Sequence, residues 1–132
     1  MKHKTPEATD LERSRSLTAS FGYAFQGIFQ VITTQRNMRI HLIVAVLAIL
    51  AALGLQLQAL EWVAILILIG LVLAFEMLNT ALETLIDLVS PKFHPLAKII
   101  KDVGAGMVLI LAITAVIGGS IIYLHALFRL IG

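Results

Sequence analysis

The stretch that decides the fold is residues 62–87, which read WVAILILIGLVLAFEMLNTALETLID. Residues 62–75 are apolar without a break, and Glu76 is the first charged side chain after them. A helix of about 14 residues covers only about 21 Å, whereas the hydrocarbon core of a bilayer is roughly 30 Å thick. A helix that crosses the membrane here must therefore continue past Glu76 and bring acidic side chains into the hydrocarbon region.

The composition agrees with a membrane protein. The chain of 132 residues is 59% hydrophobic and 14% charged, and its mean hydropathy is +0.96. Soluble domains are about half apolar and about one quarter charged, so this chain is too apolar for that class. The absence of cysteine excludes disulfide scaffolds, thiolate metal sites and thiol nucleophiles. A net charge of +2 is too small to indicate nucleic-acid binding.

The rest of the sequence has the pattern of further helices. Between residues 17 and 32, apolar side chains recur at steps of three and four, which is typical of an amphipathic helix. Residues 42–55 carry no polar side chain, and Pro91 and Pro95 interrupt the pattern before a last long apolar run. We therefore predict an all-α membrane protein that forms a single domain over 1–132. Its predicted parts are a polar tail at 1–15, an amphipathic surface helix at 16–34, and transmembrane helices at 38–60, 62–90 and 96–128.

The cationic residues lie almost all on one side of these spans. Of the ten lysine and arginine residues, nine precede or open the first span or lie around the Lys92 loop, and Arg129 alone lies at the far end of the third span. Cytoplasmic loops of membrane proteins carry an excess of lysine and arginine. The sequence therefore predicts that the N-terminus and the Lys92 loop face the cytoplasm, where an anionic nucleotide is available.

The second span carries a stripe of polar side chains. Glu76, Asn79, Glu83 and Asp87 fall within roughly 80° of one another on a helix that turns about 100° per residue. If Asp87 is near the cytoplasmic end, Glu76 lies about 16 Å deeper at a rise of 1.5 Å per residue. A charge at such a depth costs at least about 2.5 kcal/mol, so a compensating partner is expected. Three functions remain open: a site for chemistry, a proton relay, and a hydrogen-bond network that only fastens helices.

Two residues at the start of the third span favour a site for chemistry. In an antiparallel hairpin, Lys101 and Asp102 would lie beside the end of the stripe that holds Asp87. Lysine suits phosphate oxygens, and carboxylates with an asparagine amide suit Mg²⁺, so the set fits phosphoryl transfer. The Walker pattern G-x-x-x-x-G-K-[ST] and the motifs of protein kinases are both missing from the sequence.

The stripe also carries a resemblance to a known family. Residues 76–87, EMLNTALETLID, resemble the signature E-x-[LIVM]-N-[ST]-[SA]-[LIV]-E-x-x-V-D of the small bacterial integral-membrane diacylglycerol kinases and the similar undecaprenol kinases. Only Ile86 departs from it, in place of valine. Further agreement is found at 22–25, 36–41 and 94–102, so that the resemblance covers roughly residues 15 to 125.

The resemblance implies a lipid kinase in the bacterial cytoplasmic (inner) membrane. Such an enzyme moves the γ-phosphoryl group of ATP, with Mg²⁺, to the hydroxyl of a membrane lipid alcohol, here undecaprenol or diacylglycerol. The flanking segments are more similar to the branch that includes undecaprenol kinases, which favours undecaprenol slightly. The resemblance also implies a homotrimer whose active sites are shared between neighbouring subunits.

The same resemblance assigns roles to individual residues. Glu76 corresponds to the general base for the lipid hydroxyl, and Glu83 to a carboxylate that binds metal and nucleotide. The other positions that correspond to the nucleotide site are Tyr23, Asn79, His94, Lys101 and Asp102.

Two positions depart from the family pattern. Gln35 stands where many members have a second metal-binding glutamate, and Ser16 where many have an arginine that contacts ATP. An amide oxygen still binds Mg²⁺, only more weakly than a carboxylate. We therefore expect Glu83 and Gln35 to form a weaker metal site than is usual in the family.

The main alternative to a lipid kinase is a small proton- or ion-conducting membrane protein, because carboxylates within a span also serve proton relays. A second alternative is an assembly subunit in which the stripe only holds helices together. ATP consumption that depends on added lipid supports the kinase, whereas proton flux without ATP supports the relay.

Overall fold

The structure, a computed structural model, describes residues 17–132, and these residues form four α-helices and no strand. The helices are α1 (Leu17–Thr34), α2 (Arg36–Gly54), α3 (Ala59–Val89) and α4 (Pro95–Ile131). The predicted all-α class is confirmed. The predicted polar tail at 1–15 and Ser16 lie outside the described residues. The chain divides into two compact units, Met1–Thr34 and Gln35–Gly132, which are described separately.

The described part of the first unit is the helix α1. It ends at Thr34 because Gln35 has an extended backbone, with φ −99° and ψ 120°. The hydroxyl groups of Thr33 and Thr34 donate hydrogen bonds to the carbonyl oxygens of Phe29, at 2.9 Å, and Gln30, at 2.8 Å. Both hydroxyls thus bind carbonyl groups of the preceding turn of the same helix.

Helices α2, α3 and α4 of the second unit are long and apolar enough to cross a membrane, as the sequence predicts. With 19 residues, α2 is about 28 Å long, close to the roughly 30 Å of the hydrocarbon core. With 31 and 37 residues, α3 and α4 are about 46 Å and 56 Å long. The ends of α3 and α4 therefore extend beyond the hydrocarbon core.

The link between α2 and α3 is a tight turn. Helix α2 ends at Gly54, earlier than the predicted boundary at residue 60, because Gln56 has the left-handed backbone conformation, with φ 50°. The turn is closed by the amide of Leu57, which donates to the carbonyl oxygen of Ala52 at 3.1 Å. Helix α3 then begins at Ala59.

The two prolines of the predicted break lie in the link between α3 and α4 (Pro91) and at the first residue of α4 (Pro95). Ser90 ends α3 with a hydrogen bond from its amide to the carbonyl oxygen of Ile86 at 2.8 Å. Pro95 opens α4, a position that suits proline because the first turn of a helix needs no amide donor there. His94 caps this helix, since its Nδ1 accepts a hydrogen bond from the amide of Leu96 at 3.2 Å.

Ion pairs at both ends show that α3 and α4 are antiparallel. Lys101 pairs with Asp87 close to their link, and Arg129 pairs with Glu61 at the opposite end. Arg129 donates to both carboxylate oxygens of Glu61, at 2.9 and 3.1 Å, and to the carbonyl oxygen of Gln56 at 3.2 Å. This guanidinium therefore fastens the end of α4 to the turn that follows α2.

The buried apolar core lies near the Arg129 end of the bundle. It contains Ala52, Leu57, Ile65 and Ala126, with Tyr123 packed against it. The hydroxyl of Tyr123 donates to the carbonyl oxygen of Ala48 at 2.8 Å and so joins α4 to α2. Most other large apolar side chains of these helices are exposed, as expected for a surface that faces lipid.

Candidate functional site

The polar stripe of α3 runs from a buried to an exposed environment. Glu76 and Asn79 are 2% and 6% exposed, respectively, and they are the buried polar side chains of the described residues. Glu83 is half-buried, and Asp87 is exposed near the end of the helix. At 1.5 Å per residue, Glu76 lies about 20 Å before the end of α3. The stripe therefore connects the water-exposed end of the bundle with the interior of the membrane span.

Asn79 and Glu83 interact directly, one turn apart on α3. The Nδ2 group of Asn79 donates a hydrogen bond to Oε1 of Glu83 at 3.3 Å. The other end of the carboxamide, Oδ1, is buried and accepts no hydrogen bond from the described residues. A buried oxygen without a donor is rare in folded proteins, and this one faces Gly104 on α4.

Glu76 lies one turn deeper than this pair. His41 on α2 and Glu83 on α3 are both within electrostatic range of its carboxylate. The hydroxyl of Thr80 donates to the carbonyl oxygen of Glu76 at 3.0 Å, which leaves that hydroxyl committed to the backbone. Glu76 is therefore a buried acid within electrostatic range of a histidine on another helix of this unit.

An open apolar groove begins beside Glu76. Its volume is about 450 Å³, and it is lined by α2, α3 and α4 from His41 at one end to Tyr123 at the other. Val72 and Leu73, which line it, come one turn before Glu76. The groove therefore places apolar surface next to a buried carboxylate.

The two lysines at the start of α4 have different partners. Lys101 donates to Oδ1 of Asp87 and so joins α4 to the end of the stripe, as the antiparallel hairpin predicts. Lys98 pairs with Asp102 one turn further along the same helix. Lys101 is partly buried, whereas the Lys98 and Asp102 side chains are both largely exposed. The structure thus brings Lys101, but not Asp102, into contact with the stripe.

The remaining residues that the sequence assigns to the site are not among the residues that make these contacts. Gln35 is half-buried at the start of α2, and its side chain makes no capping hydrogen bond there. His94 is exposed, and its Nδ1 is used to cap α4. Tyr23 lies on α1 in the first unit, with 51% of its surface exposed.

The residues of the stripe fit a magnesium ion that arrives with a nucleotide. Within residues 17–132, no three histidine, aspartate or glutamate side chains come together in a group that would hold a metal by themselves. Mg²⁺ is usually held by one or two carboxylates together with substrate phosphates, rather than by a cage of protein ligands. The Glu83 carboxylate, whose Oε1 accepts a hydrogen bond from Asn79, offers hard oxygen atoms of the kind that such an ion requires.

Two residues near the stripe have no part in the sequence-based site. Gly104 on α4 faces the buried Oδ1 of Asn79. His41 on α2 lies within electrostatic range of Glu76. Both relationships join different helices, so no spacing within one helix could have revealed them.

Comparisons with known proteins all indicate the same family. Residues 22–123 match the family described as prokaryotic diacylglycerol kinase. The chain is 45% identical over 116 residues to a diacylglycerol kinase of Synechocystis sp., with 87% of this chain and 66% of that protein covered. It is 39% identical over 108 residues to the undecaprenol kinase of Bacillus subtilis, with 82% and 88% covered. It is 31% identical over 96 residues to the diacylglycerol kinase of Escherichia coli, with 73% and 79% covered.

These relatives differ in length from the chain. It spans about two thirds of the Synechocystis protein and a larger share of the other two. The matched region contains the whole stripe of α3 together with Lys101 and Asp102.

Proposed function

Since the chain belongs to the prokaryotic diacylglycerol kinase family and is a lipid kinase, we propose that it transfers the γ-phosphoryl group of ATP to the hydroxyl of a membrane lipid alcohol. Mg²⁺ is the proposed metal. Family membership favours this function over the conduction of protons or ions. A role in which the stripe only holds helices together is likewise not needed to explain its polar residues.

The observation that carries the proposal is a buried acid one turn from a pair in which Asn79 is buried and Glu83 is partly exposed. Glu76 is 2% exposed, and Asn79 donates to Glu83 one turn closer to the water-exposed end of α3. A reaction between a lipid hydroxyl and a water-soluble nucleotide needs one catalytic group inside the membrane and another at its water-exposed surface. The stripe supports this arrangement because it runs from one environment to the other.

Glu76 is the proposed general base. A carboxylate within the span can accept the proton of a hydroxyl that approaches from the bilayer, and its burial keeps bulk water away from that proton transfer. The apolar groove that begins one turn away suits the hydrocarbon part of such an alcohol. The deprotonated oxygen then attacks the γ-phosphorus, and the bond from that phosphorus to the bridging oxygen of ADP breaks.

The groups proposed to bind the nucleotide phosphates and their metal ion are Glu83, Asn79 and Lys101. Glu83 would hold Mg²⁺, with Gln35 as the weaker ligand proposed from its position in the family pattern, and Asn79 would contact the nucleotide beside Glu83. When bound, the ion neutralises charge on the phosphates during transfer. Lys101 supplies a further positive charge from α4, and Asp87 holds its ammonium group at the end of the stripe.

Three proposed nucleotide contacts rest on the resemblance to the family alone. They are Tyr23, His94 and Asp102. Asp102 is exposed and paired with Lys98, so its carboxylate is accessible to a ligand from water.

The orientation and assembly are proposed as well. The N-terminus and the link that holds Lys92 would face the cytoplasm of a bacterium, at its inner membrane, because lysine and arginine concentrate on that side. A homotrimer with active sites shared between neighbours follows from the resemblance to the family.

The proposed acceptor is undecaprenol or diacylglycerol, with a slight preference for undecaprenol. Relatives named for each of the two alcohols are found among similar proteins. A preference between tails depends on apolar contacts away from the reacting hydroxyl, and one methylene group changes selectivity by only about 1 to 3 kcal/mol. We therefore expect measurable phosphorylation of both alcohols.

The test uses purified protein in mixed micelles with γ-labelled ATP, Mg²⁺ and both alcohols in competition. The expected result is label in lipid phosphate that depends on added alcohol, with a larger kcat/KM for undecaprenol. A preference for diacylglycerol above about a hundredfold would contradict the undecaprenol assignment. Proton flux through proteoliposomes without ATP, in a protein that forms no lipid phosphate, would contradict the kinase itself.

A further inference from the structure

Gly104 on α4 meets the buried carboxamide of Asn79 on α3. A Cβ atom built at Gly104 would overlap with Oδ1 of Asn79, and it would lie 3.5 Å from Cγ of the same side chain. It would also approach Cδ1 of Leu82 at 3.8 Å, which is an ordinary contact. Oδ1 of Asn79 can therefore lie at this position only because residue 104 has no side chain.

The orientation of the Asn79 amide is fixed by Glu83. The Nδ2 group donates to Oε1 of Glu83, which places Oδ1 on the side of Gly104. A flipped amide would set two oxygen acceptors against each other, because an ionised carboxylate has no hydrogen to donate. The carboxamide thus lies between a carboxylate on its own helix and a glycine on the neighbouring helix.

A second glycine on α4 shows that this requirement is local. No side chain or neighbouring helix of the described residues lies within 4 Å of a Cβ atom built at Gly106. Both glycines are inside the same helix, where alanine is the better helix former. Helix propensity alone would favour alanine at both positions, so the contact with Asn79 distinguishes Gly104.

We propose that Gly104 is a positioning residue for phosphoryl transfer, which acts by leaving room for the Asn79 carboxamide and thereby holds Asn79 against Glu83. The inference rests on the proposed function, since Asn79 and Glu83 are the groups proposed to bind the nucleotide phosphates and their metal ion. A side chain at position 104 must displace Asn79 or separate α3 from α4. Either change moves the Asn79 carboxamide and weakens its hydrogen bond to Glu83.

The first experiment compares Gly104→Ala with the matched control Gly106→Ala in the lipid phosphorylation assay. Misplacing a catalytic group by about 1 Å costs up to about 10²-fold in rate, so a loss of that order in kcat/KM for ATP is expected for Gly104→Ala. The control should stay within about twofold of the unmodified protein, as for a substitution without contacts. Equal activity of Gly104→Ala and Gly106→Ala would overturn the inference.

A double-mutant cycle separates positioning from simple packing. In the Asn79→Ala background, the overlap is absent, so adding Gly104→Ala should change kcat/KM for ATP by less than about twofold. Losses that multiply independently would show that Gly104 acts through helix packing and would overturn the inference. If Gly104→Ala alone does not fold, recovery of the folded protein in Asn79→Ala/Gly104→Ala supports the overlap as the cause, and failure to recover contradicts it.

The two proposals fail in different ways. An unmodified protein that forms no lipid phosphate under any condition overturns the proposed function. An active unmodified protein that tolerates Gly104→Ala overturns only the role of Gly104.

Discussion

Lys101 donates a hydrogen bond from its ammonium group to the carboxylate of Asp87, and this pair joins the start of α4 to the last turns of α3. Lys98, one turn earlier on α4, pairs instead with Asp102 on its own helix. The two lysines are close in sequence, yet only Lys101 lies against the polar stripe. Their different partners allow one to serve as the control for the other.

Removal of the Lys101 charge should impair the use of ATP. Loss of one group that stabilises transition-state charge costs about 10² to 10³ in rate, so Lys101→Gln is expected to lower kcat/KM for ATP by about that factor. Lys98→Gln removes an exposed pair of the kind that contributes about 0.5 kcal/mol or less, and its effect should be small. Steady-state kinetics at varied ATP concentration measure this loss. Equal losses of kcat/KM in both variants would show that Lys101 does not stabilise the phosphates.

A carboxylate at position 35 should strengthen metal binding. Gln35→Glu adds a formal negative charge at the start of α2, and carboxylates bind Mg²⁺ more strongly than amides do. The Mg²⁺ concentration that gives half the maximal rate is therefore expected to fall. Gln26→Glu adds the same charge to an exposed position of α1 and is the control. An unchanged Mg²⁺ requirement in Gln35→Glu, or the same decrease in both variants, would show that Gln35 is not near the metal.

The far end of the bundle should determine stability rather than activity. Arg129 makes two hydrogen bonds to Glu61 and one to the carbonyl oxygen of Gln56. Arg129→Gln removes these charge-assisted hydrogen bonds, so the variant should have a lower free energy of unfolding than the unmodified protein. Thermal unfolding in detergent measures the loss, and kcat per folded molecule should not change. A drop in kcat without a lower unfolding temperature would contradict this assignment.

The orientation in the membrane can be tested by single cysteines, because the chain contains none. Ser90→Cys places a thiol in the link between α3 and α4, and Gln58→Cys places one in the link between α2 and α3. An impermeant maleimide added to intact spheroplasts should label Gln58→Cys and should label Ser90→Cys only after lysis. The reverse pattern would invert the proposed orientation.

The membrane spans could be predicted from hydropathy because a helix in the bilayer must satisfy its own backbone and present apolar side chains to lipid. The end of α2 could not, since residues 55–60 are also mostly apolar and only the left-handed Gln56 ends the helix before them. The prolines, in contrast, marked the α3–α4 link directly, because Pro91 follows Ser90 at the end of α3 and Pro95 opens α4.

The sequence predicted which site residues share one face of a helix. It did not predict which residues of different helices come into contact. The spacing of Glu76, Asn79 and Glu83 places them on one face of α3, and the short link to α4 brings Lys101 near that face. The contact between Asn79 and Gly104 depends on how α3 and α4 are rotated about their own axes, which sequence spacing does not determine. For the same reason, the approach of His41 on α2 to Glu76 becomes visible only in the structure.

The central claim is that Glu76 accepts the proton of a lipid hydroxyl, and its most direct test is the rate of lipid phosphate formation by Glu76→Gln. The amide has nearly the same shape but cannot act as the base, and loss of a general base typically lowers the rate by about 10² to 10⁴. Glu61→Gln makes the same chemical change at the far end of α3 and should retain most of the activity per folded molecule. A folded Glu76→Gln protein that forms lipid phosphate at the rate of the Glu61→Gln control would contradict the account.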